Sequence, residues 1–500
     1  MAVQLDTPAE TMSVRAALRS PRRLKTEVLA GMVVALALIP EAISFSIIAG
    51  VDPRVGLFAS FTMAVTIAIV GGRPAMISAA TGAIALVVAP LSREYGLDYL
   101  IAAVLLAGVL QIVLSLLGVA KLMRFIPRSV MVGFVNALAI LIFTAQLPHL
   151  IDVPALVYPM VAVGLLIMVL LPKVTTVVPA PLVAIVLLTA ATVIFALNVP
   201  NVGDEGELPS SLPSWLIPDV PFTMDTLSII APYAFAMALV GLLESLMTAK
   251  LVDDITDTHS DKTREGWGQG IANLVTGLFG GMGGCAMIGQ TMINVKVSGA
   301  RTRISTFLAG VFLLILVVGL GDVVALIPMA ALVAVMIMVS VGTMDWHSIA
   351  PKTLRRMPRS ETTVMLATVA VTVATHNLAY GVIVGVITAM VLFARRVAHL
   401  TEVVDIAHPD DENTRVYAVH GELFFASSND LIYQFDYVGD PENVVIDLSD
   451  SHIWDASTVA TLDAITTKYA AKGKTVTIVG LNAASSERHV RLSGQMGAGH

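Results

Sequence analysis

The chain has 500 residues, of which 13% are charged, against about 25% in an average soluble domain, and this excludes a protein built wholly from soluble domains. The charge is unevenly spread: residues 401–500 hold 15 acidic and 6 basic residues, a formal charge of −9, so the first 400 residues read as membrane and the last 100 as a soluble, acidic domain. A net charge of −7 with no dense basic tract argues against a nucleic-acid partner, and the single cysteine, Cys285, excludes an internal disulfide framework and a multi-cysteine metal cluster.

In chain order, residues 1–24 form a polar N-terminal segment without the apolar core and cleavage site of a signal peptide, so the first apolar run is expected to be retained. Apolar runs then lie near 28–49, 55–71, 99–119, 129–147, 155–171, 182–198, 226–249, 268–280, 302–320, 323–341, 361–378 and 380–394. Each approaches the length needed to cross a bilayer. Two further stretches, 74–91 and 282–298, follow the pairs Gly71-Gly72 and Gly280-Gly281 and are too interrupted by small residues to be ordinary spans. They read as half-spans, which brings the total to about 14 segments of a polytopic α-helical membrane protein. The expected divisions are 1–24, a first membrane half 25–198, an extracellular loop 199–225, a second half 226–397 and a cytoplasmic domain 398–500.

Basic residues set the orientation, because cytoplasmic loops accumulate Lys and Arg. Arg15, Arg19, Arg22, Arg23 and Lys25 place the N-terminus inside, and Arg73, then Lys121 with Arg124 and Arg128, then Lys173 mark the next inside loops. Residues 199–225 contain no Lys or Arg, and the last span ends at Arg395-Arg396. Both termini are therefore expected in the cytoplasm of a multi-pass protein of the cell's inner (plasma) membrane, with Arg54 and Arg93 as outside exceptions.

The two broken stretches share Gly-Gly followed by Ala-Met-Ile, at Ala75-Met76-Ile77 and Ala286-Met287-Ile288. Phe125-Ile126-Pro127 and Leu326-Ile327-Pro328 open spans at comparable places in each half. Seven crossings per half make such repeats inverted. Two half-helices beginning near the midplane aim unsatisfied N–H groups at a shared point, which suits an anion. The candidate linings are Ser78, Thr81, Gly82 and Ala83 from the first and Gly284, Cys285, Ala286 and Met287 from the second; the alternative is that these small residues only permit close packing.

Two carboxylates fall clearly within spans, Glu41 after Pro40, and Glu244 with Ser245 beside it and Thr248 one turn on. Ionised groups there are costly and by default functional. Either holds a proton or a cation beside an anion, or is a neutral, hydrogen-bonded structural acid. His376, beside Asn377, reads as a proton relay in a span or as a packed histidine.

The run from Ile39 to Phe61 with Pro40, Gly50, Pro53, Gly56 and Leu57, the Thr81-Gly82 start, Gly241-Leu242-Leu243-Glu244-Ser245 and Ser298-Gly299-Ala300-Arg301-Thr302 together resemble the sulfate permease (SulP) family of anion transporters. The resemblance runs from about 24 to 490. It implies two inverted seven-segment repeats forming uracil-transporter-like core and gate domains, a homodimer, substrate between the third and tenth segments, and the eighth-segment acid at Glu244. Many members carry Gln where Glu41 stands and Arg where Gln290 stands. Both departures point to symport with a co-transported proton, or sodium ion, in place of plain exchange; no bound cofactor is expected.

The tail shows strand patterns at Val416–His420, Val444–Asp447 and Thr475–Val479 with an amphipathic helix over Ser457–Ala471. It resembles a cytoplasmic α/β STAS domain. Asp455-Ala456-Ser457-Thr458 stands where related antagonists carry Asp-Ser-Ser-Gly, so Ser457 is a phosphorylation position by resemblance and a helix N-cap by local sequence. The expectation is a secondary active transporter of sulfate, bicarbonate or a dicarboxylate such as fumarate, with an anion channel, an exchanger and a membrane-anchored sensor as alternatives. No nucleophile, base or metal set suggests an enzyme.

Overall fold

The computed structural model describes residues 13–122, 126–174, 179–398, 401–407 and 413–494. Arg124 and Phe125 lie outside the described residues. Two compact units divide the chain, Met1–Val386 and Ile387–His500.

The first unit begins with helices α1 (Pro21–Ala49) and α2 (Pro53–Val70), then a two-residue strand β1 (Ser78–Ala79) leading into α3 (Gly82–Tyr95). Next come α4 (Leu97–Leu116), α5 (Arg128–Thr144), α6 (Val157–Val174) and α7 (Ala180–Ile194). The order then recurs. Helices α8 (Met224–Thr256) and α9 (Lys262–Leu278) precede strand β2 (Cys285–Ala286) and α10 (Ile288–Met292), followed by α11 (Arg303–Gly319), α12 (Met329–Thr343), α13 (Arg359–Thr375) and α14 (Leu378–Ala398), within which the first unit ends at Val386. Among the described residues seven helices are long and apolar enough to cross a membrane unaided. Pro127 and Pro328 are the N-caps of α5 and α12, where a fixed φ and a missing N–H cost nothing.

The helices sort into two groups. In one, α9 packs on α4 and α2, α11 on α1 and α2, and α8 on α4. In the other, α13 and α12 pack on α5, and α6 packs on α12 and α7. The first group is drawn together by small residues: a Cβ on Gly108 would lie 2.7 Å from the Gly270 carbonyl oxygen, and one on Gly270 2.6 Å from that of Gly108. Only glycine permits that backbone approach.

Strands β1 and β2 pair antiparallel, Ser78 with Ala286 and Ala79 with Cys285. This makes Ser78 and Cys285 the equivalent positions, so the shared Ala-Met-Ile is four residues out of register. Ala75 lies before its strand in a left-handed turn with φ 61°, whereas Ala286 lies within β2; a three-residue apolar match carries too little information to set a register.

In the second unit β3 (Glu402–Ala407) runs antiparallel to β4 (Thr414–Leu423), which pairs in parallel with β5 (Asn443–Asp447), and β5 with β7 (Thr475–Val479); β6 (Ser451–Ile453) pairs with the end of β4. Helices α15 (Phe425–Leu431), α16 (Ala456–Ala470) and α17 (Ala483–Leu492) complete it. The N-cap of α16 is Asp455, whose carboxylate accepts from the Thr458 amide at 3.0 Å. Ser457 is not the cap but an exposed first-turn residue; the helix begins one residue earlier because Asp is an equally good cap. His376 also departs from expectation: it is exposed, at φ 52°, and ends α13 in the turn before α14, so it neither relays within a span nor packs in the interior.

Candidate functional site

The site is built where β1 and β2 cross. Thr81 caps α3, its hydroxyl accepting from Ile84 N–H, and Met287 caps α10. The first amides of each helix have no intrahelical acceptor, so both starts carry partial positive charge. Helix α10 passes directly into π-wound turns over Ile293–Val297, the kind of irregularity tolerated at membrane depth only around a polar interior.

A polar stripe on α9 holds this crossing in place. Glu265, Gln269, Asn273 and Thr276 fall on one helical face, and all four are buried. Gln269 Nε2 donates to Ser78 Oγ at 2.7 Å and to Glu265 Oε1 at 2.8 Å. Asn273 Nδ2 donates to the Gly284 carbonyl and to Gln111 Oε1, while its Oδ1 accepts from the Gly284 N–H. Thr276 meets Thr62 of α2 at 2.8 Å. The Glu265 carboxylate accepts the amides of Gly72 and Arg73 at 2.8 and 2.9 Å, and Glu27 likewise accepts those of Arg301, Thr302 and Ser305 at the start of α11. Sequence reasoning missed both acids because they sit near span ends; for Glu265 the signal was a run of acid and amides at helical spacing, and Glu27 has no such run around it.

Of the expected linings, Ser78, Ala83, Cys285 and Ala286 are fully buried, and Thr81, Gly82, Gly284 and Met287 are buried too. The structure brings Thr81, Cys285 and Glu244 together: the thiol donates to Glu244 Oε2 at 2.9 Å and lies 3.1 Å from Thr81 Oγ1. Ser245 Oγ accepts from the Ala286 N–H at 3.1 Å. Thr248 does not meet the Glu244 carboxyl; its hydroxyl donates to the Glu244 main-chain carbonyl at 2.7 Å, the usual back-bond of a helical threonine. Ala286 is packed against Met76 and Ala249.

On the more open side, Glu41 is half-buried and accepts from Gln290 Nε2 at 2.9 Å. Gln290 itself is buried, and its own Oε1 has no partner. One residue before it, Gly289 is exposed and borders open space. Phe45, one turn beyond Glu41, covers the start of α3 at Gly82. None of the side chains making these contacts around the two helix starts is Lys or Arg. The arrangement therefore offers an anion two helix N-termini, hydroxyls and amides, with two carboxyls close by that would have to be neutral or paired with a cation.

The profile of the sulfate permease family matches residues 24–163 and 151–368, and that of the STAS domain matches 405–494. The chain belongs to the sulfate permease family. YbaR of Bacillus subtilis (strain 168), provisionally named a sulfate transporter, is 54% identical over 92% of this chain and 95% of its own length. The transmembrane domain of a cyanobacterium bicarbonate transporter, BicA, superposes with a TM-score of 0.64 at 25% identity, over 73% of this chain and 97% of that domain. The murine Solute Carrier 26 family member A9 anion transporter, in an inward-facing state, shares the fold with a TM-score of 0.79 at 16% identity, over 94% and 87% of the two chains. This sulfate permease-family protein is thus a multi-pass membrane transporter of small anions with a C-terminal STAS domain, and its relatives are transporters, not enzymes.

Proposed function

We propose that the protein is a secondary active transporter that carries a small oxyanion or carboxylate together with a proton by alternating access, with Glu41 as the proton-carrying group. It works as a homodimer in the plasma membrane with both termini in the cytoplasm. The observation that carries this reading is the hydrogen bond between Glu41 and Gln290. It sets a carboxyl of α1, capable of charge, against the first turn of α10, and it supplies an amide where the family resemblance implies a guanidinium. An anion entering without a fixed cation has its charge offset by helix dipoles and by the proton taken up with it, and moving the two together lowers the cost of crossing a low-dielectric core.

Sulfate, bicarbonate and dicarboxylates such as fumarate or succinate are the substrates to compare, the first two because relatives bear those names. Uptake of each, labelled, into proteoliposomes under an imposed pH or sodium gradient tests the proposal. Accumulation of at least one driven by an inward proton gradient, and unaffected by sodium, is the expected result; accumulation driven only by sodium, or only exchange, overturns it.

A further inference from the structure

A cavity of about 520 Å³ lies away from the helix starts, between Ile39 and Pro40 of α1, the face of α7 from Leu182 to Ile194, and the segment from Leu316 to Ile327 that joins α11 to α12. The volume is that of a small-ligand site, but its shape and chemistry are not those of a site for a polar molecule. The α7 wall alone spans twelve helical steps, ~18 Å, so the cavity is a slot. Every wall residue is aliphatic or proline except Thr189, and the Thr189 hydroxyl has no hydrogen-bond partner. A buried water needs two to four polar partners, which the slot lacks. Left empty, both walls would forfeit their van der Waals contacts.

The slot is open through an apolar rim. Val193, Ile194 and Val323 are 54%, 74% and 55% exposed, and in a membrane-spanning helix bundle the medium at such positions is hydrocarbon. We infer that one acyl chain of a bilayer lipid occupies this slot, lying along α7 and wedged against Ile39 and Pro40. Its α1 and α7 walls belong to different helix groups: α1 packs chiefly with α11 and α2 and only lightly against α12 and α7, and α7 packs chiefly with α6 and α12. Any sliding of one group past the other reshapes the slot, so the chain tunes the rate of that motion. Pro40 lines the slot and Glu41 follows it, which sets the lipid one residue from the candidate coupling group. The assignment concerns lipid contact and is independent of which anion or cation is moved.

The test uses the full chain in proteoliposomes of phosphatidylethanolamine and phosphatidylglycerol doped with a phosphatidylglycerol carrying a diazirine on one acyl chain. After irradiation, adducts are mapped by peptide mass spectrometry. Adducts on Leu182–Ile194 and Leu316–Ile327 should exceed, several-fold, those on comparably exposed positions of α6 such as Leu166 and Val169. Ala190→Phe, which fills the slot, should reduce the slot adducts several-fold and leave those on α6 unchanged. Val193→Trp narrows the mouth from its lipid-exposed side and should do the same, which covers the case in which Ala190→Phe does not fold. Slot labelling no greater than on α6, or unchanged in the folded variants, would overturn the assignment.

Discussion

Gln290 Nε2 donates to Glu41 Oε1 at 2.9 Å, so the two membrane-segment positions at which the family resemblance implies other residues are each other's partner. Two separate oddities in the sequence are one feature of the structure. A change of Gln to Glu on α1 and of Arg to Gln on α10 preserves a donor on α10 and an acceptor on α1, while removing the fixed positive charge and adding a group that can hold a proton.

Restoring both family residues should therefore convert the mode of transport. The double variant Glu41→Gln with Gln290→Arg is expected to fold, to exchange substrate, and to lose accumulation driven by a pH gradient. Gln290→Arg alone places a guanidinium on an ionisable carboxylate and should hold it charged, abolishing net uptake as well. Counterflow and gradient-driven uptake measured on the same vesicles separate the two behaviours.

The two glycines of the site should respond differently to alanine. At Gly82 the new Cβ would lie 2.8 Å from the Phe45 ring and 3.1 Å from the end of Ile142, both movable side chains. At Gly284 it would fall on the Ala79 carbonyl oxygen, which β-pairing with Cys285 fixes. Gly82→Ala should yield folded protein, destabilised by ~1–3 kcal/mol from overpacking, with reduced uptake. Gly284→Ala should give little monodisperse protein at all. Size-exclusion yield, with uptake normalised to folded protein, distinguishes them. A large residue at Ala286 is no test of the anion space, because Met76 and Ala249 already fill its surroundings.

The fourteen-segment architecture was legible because hydrocarbon imposes length and composition on a span. The broken stretches were legible because Gly-Gly pairs and small residues cannot sustain an ordinary apolar helix. Glu41 and Glu244 stood out as charges in apolar runs. What sequence could not give was partnership across the fold: nothing local links Gln290 to Glu41, Cys285 to Glu244, or Asn273 to Gly284. Thr248 sits at the right spacing for Glu244 yet bonds to its carbonyl, because a helical threonine finds the backbone oxygen one turn back before any neighbour. The stripe at 265, 269, 273 and 276 was visible in principle, but amides in spans draw less notice than acids. In the tail, β3 and β6 escaped detection because one leads directly from a membrane helix and the other has only three residues.

The STAS domain carries its own testable polar core. Asp440 is buried and accepts hydrogen bonds from Tyr469 and, at 2.9 Å, from Tyr417. Burial, reinforced by the carboxylate, pushes both phenols above the ordinary tyrosine range. A folded-state pKa above the unfolded value of about 10 means that the contribution to stability is complete below pH 10 and is lost as pH rises through the folded value. Tyr469→Phe removes one donor from a buried carboxylate and should lower domain stability by ~1–3 kcal/mol. Its alkaline destabilisation should also be shallower than wild type. Urea unfolding of the full chain in detergent, with Trp215, Trp267 and Trp346 replaced by Phe so that the fluorescence is that of Trp454, followed between pH 7 and 11, reads both effects.

The most direct test of Glu41 as the coupling group is Glu41→Gln in proteoliposomes with an inward proton gradient. Each pH unit supplies about 1.4 kcal/mol per proton, ~tenfold accumulation at one proton per anion. Wild type should approach that limit. Glu41→Gln keeps the shape and hydrogen-bonding reach of the neutral acid but cannot release a proton, so it should show no accumulation above the equilibrium level and retain substrate counterflow. Gradient-driven accumulation by the variant at the wild-type level would contradict the account and move the coupling role to Glu244.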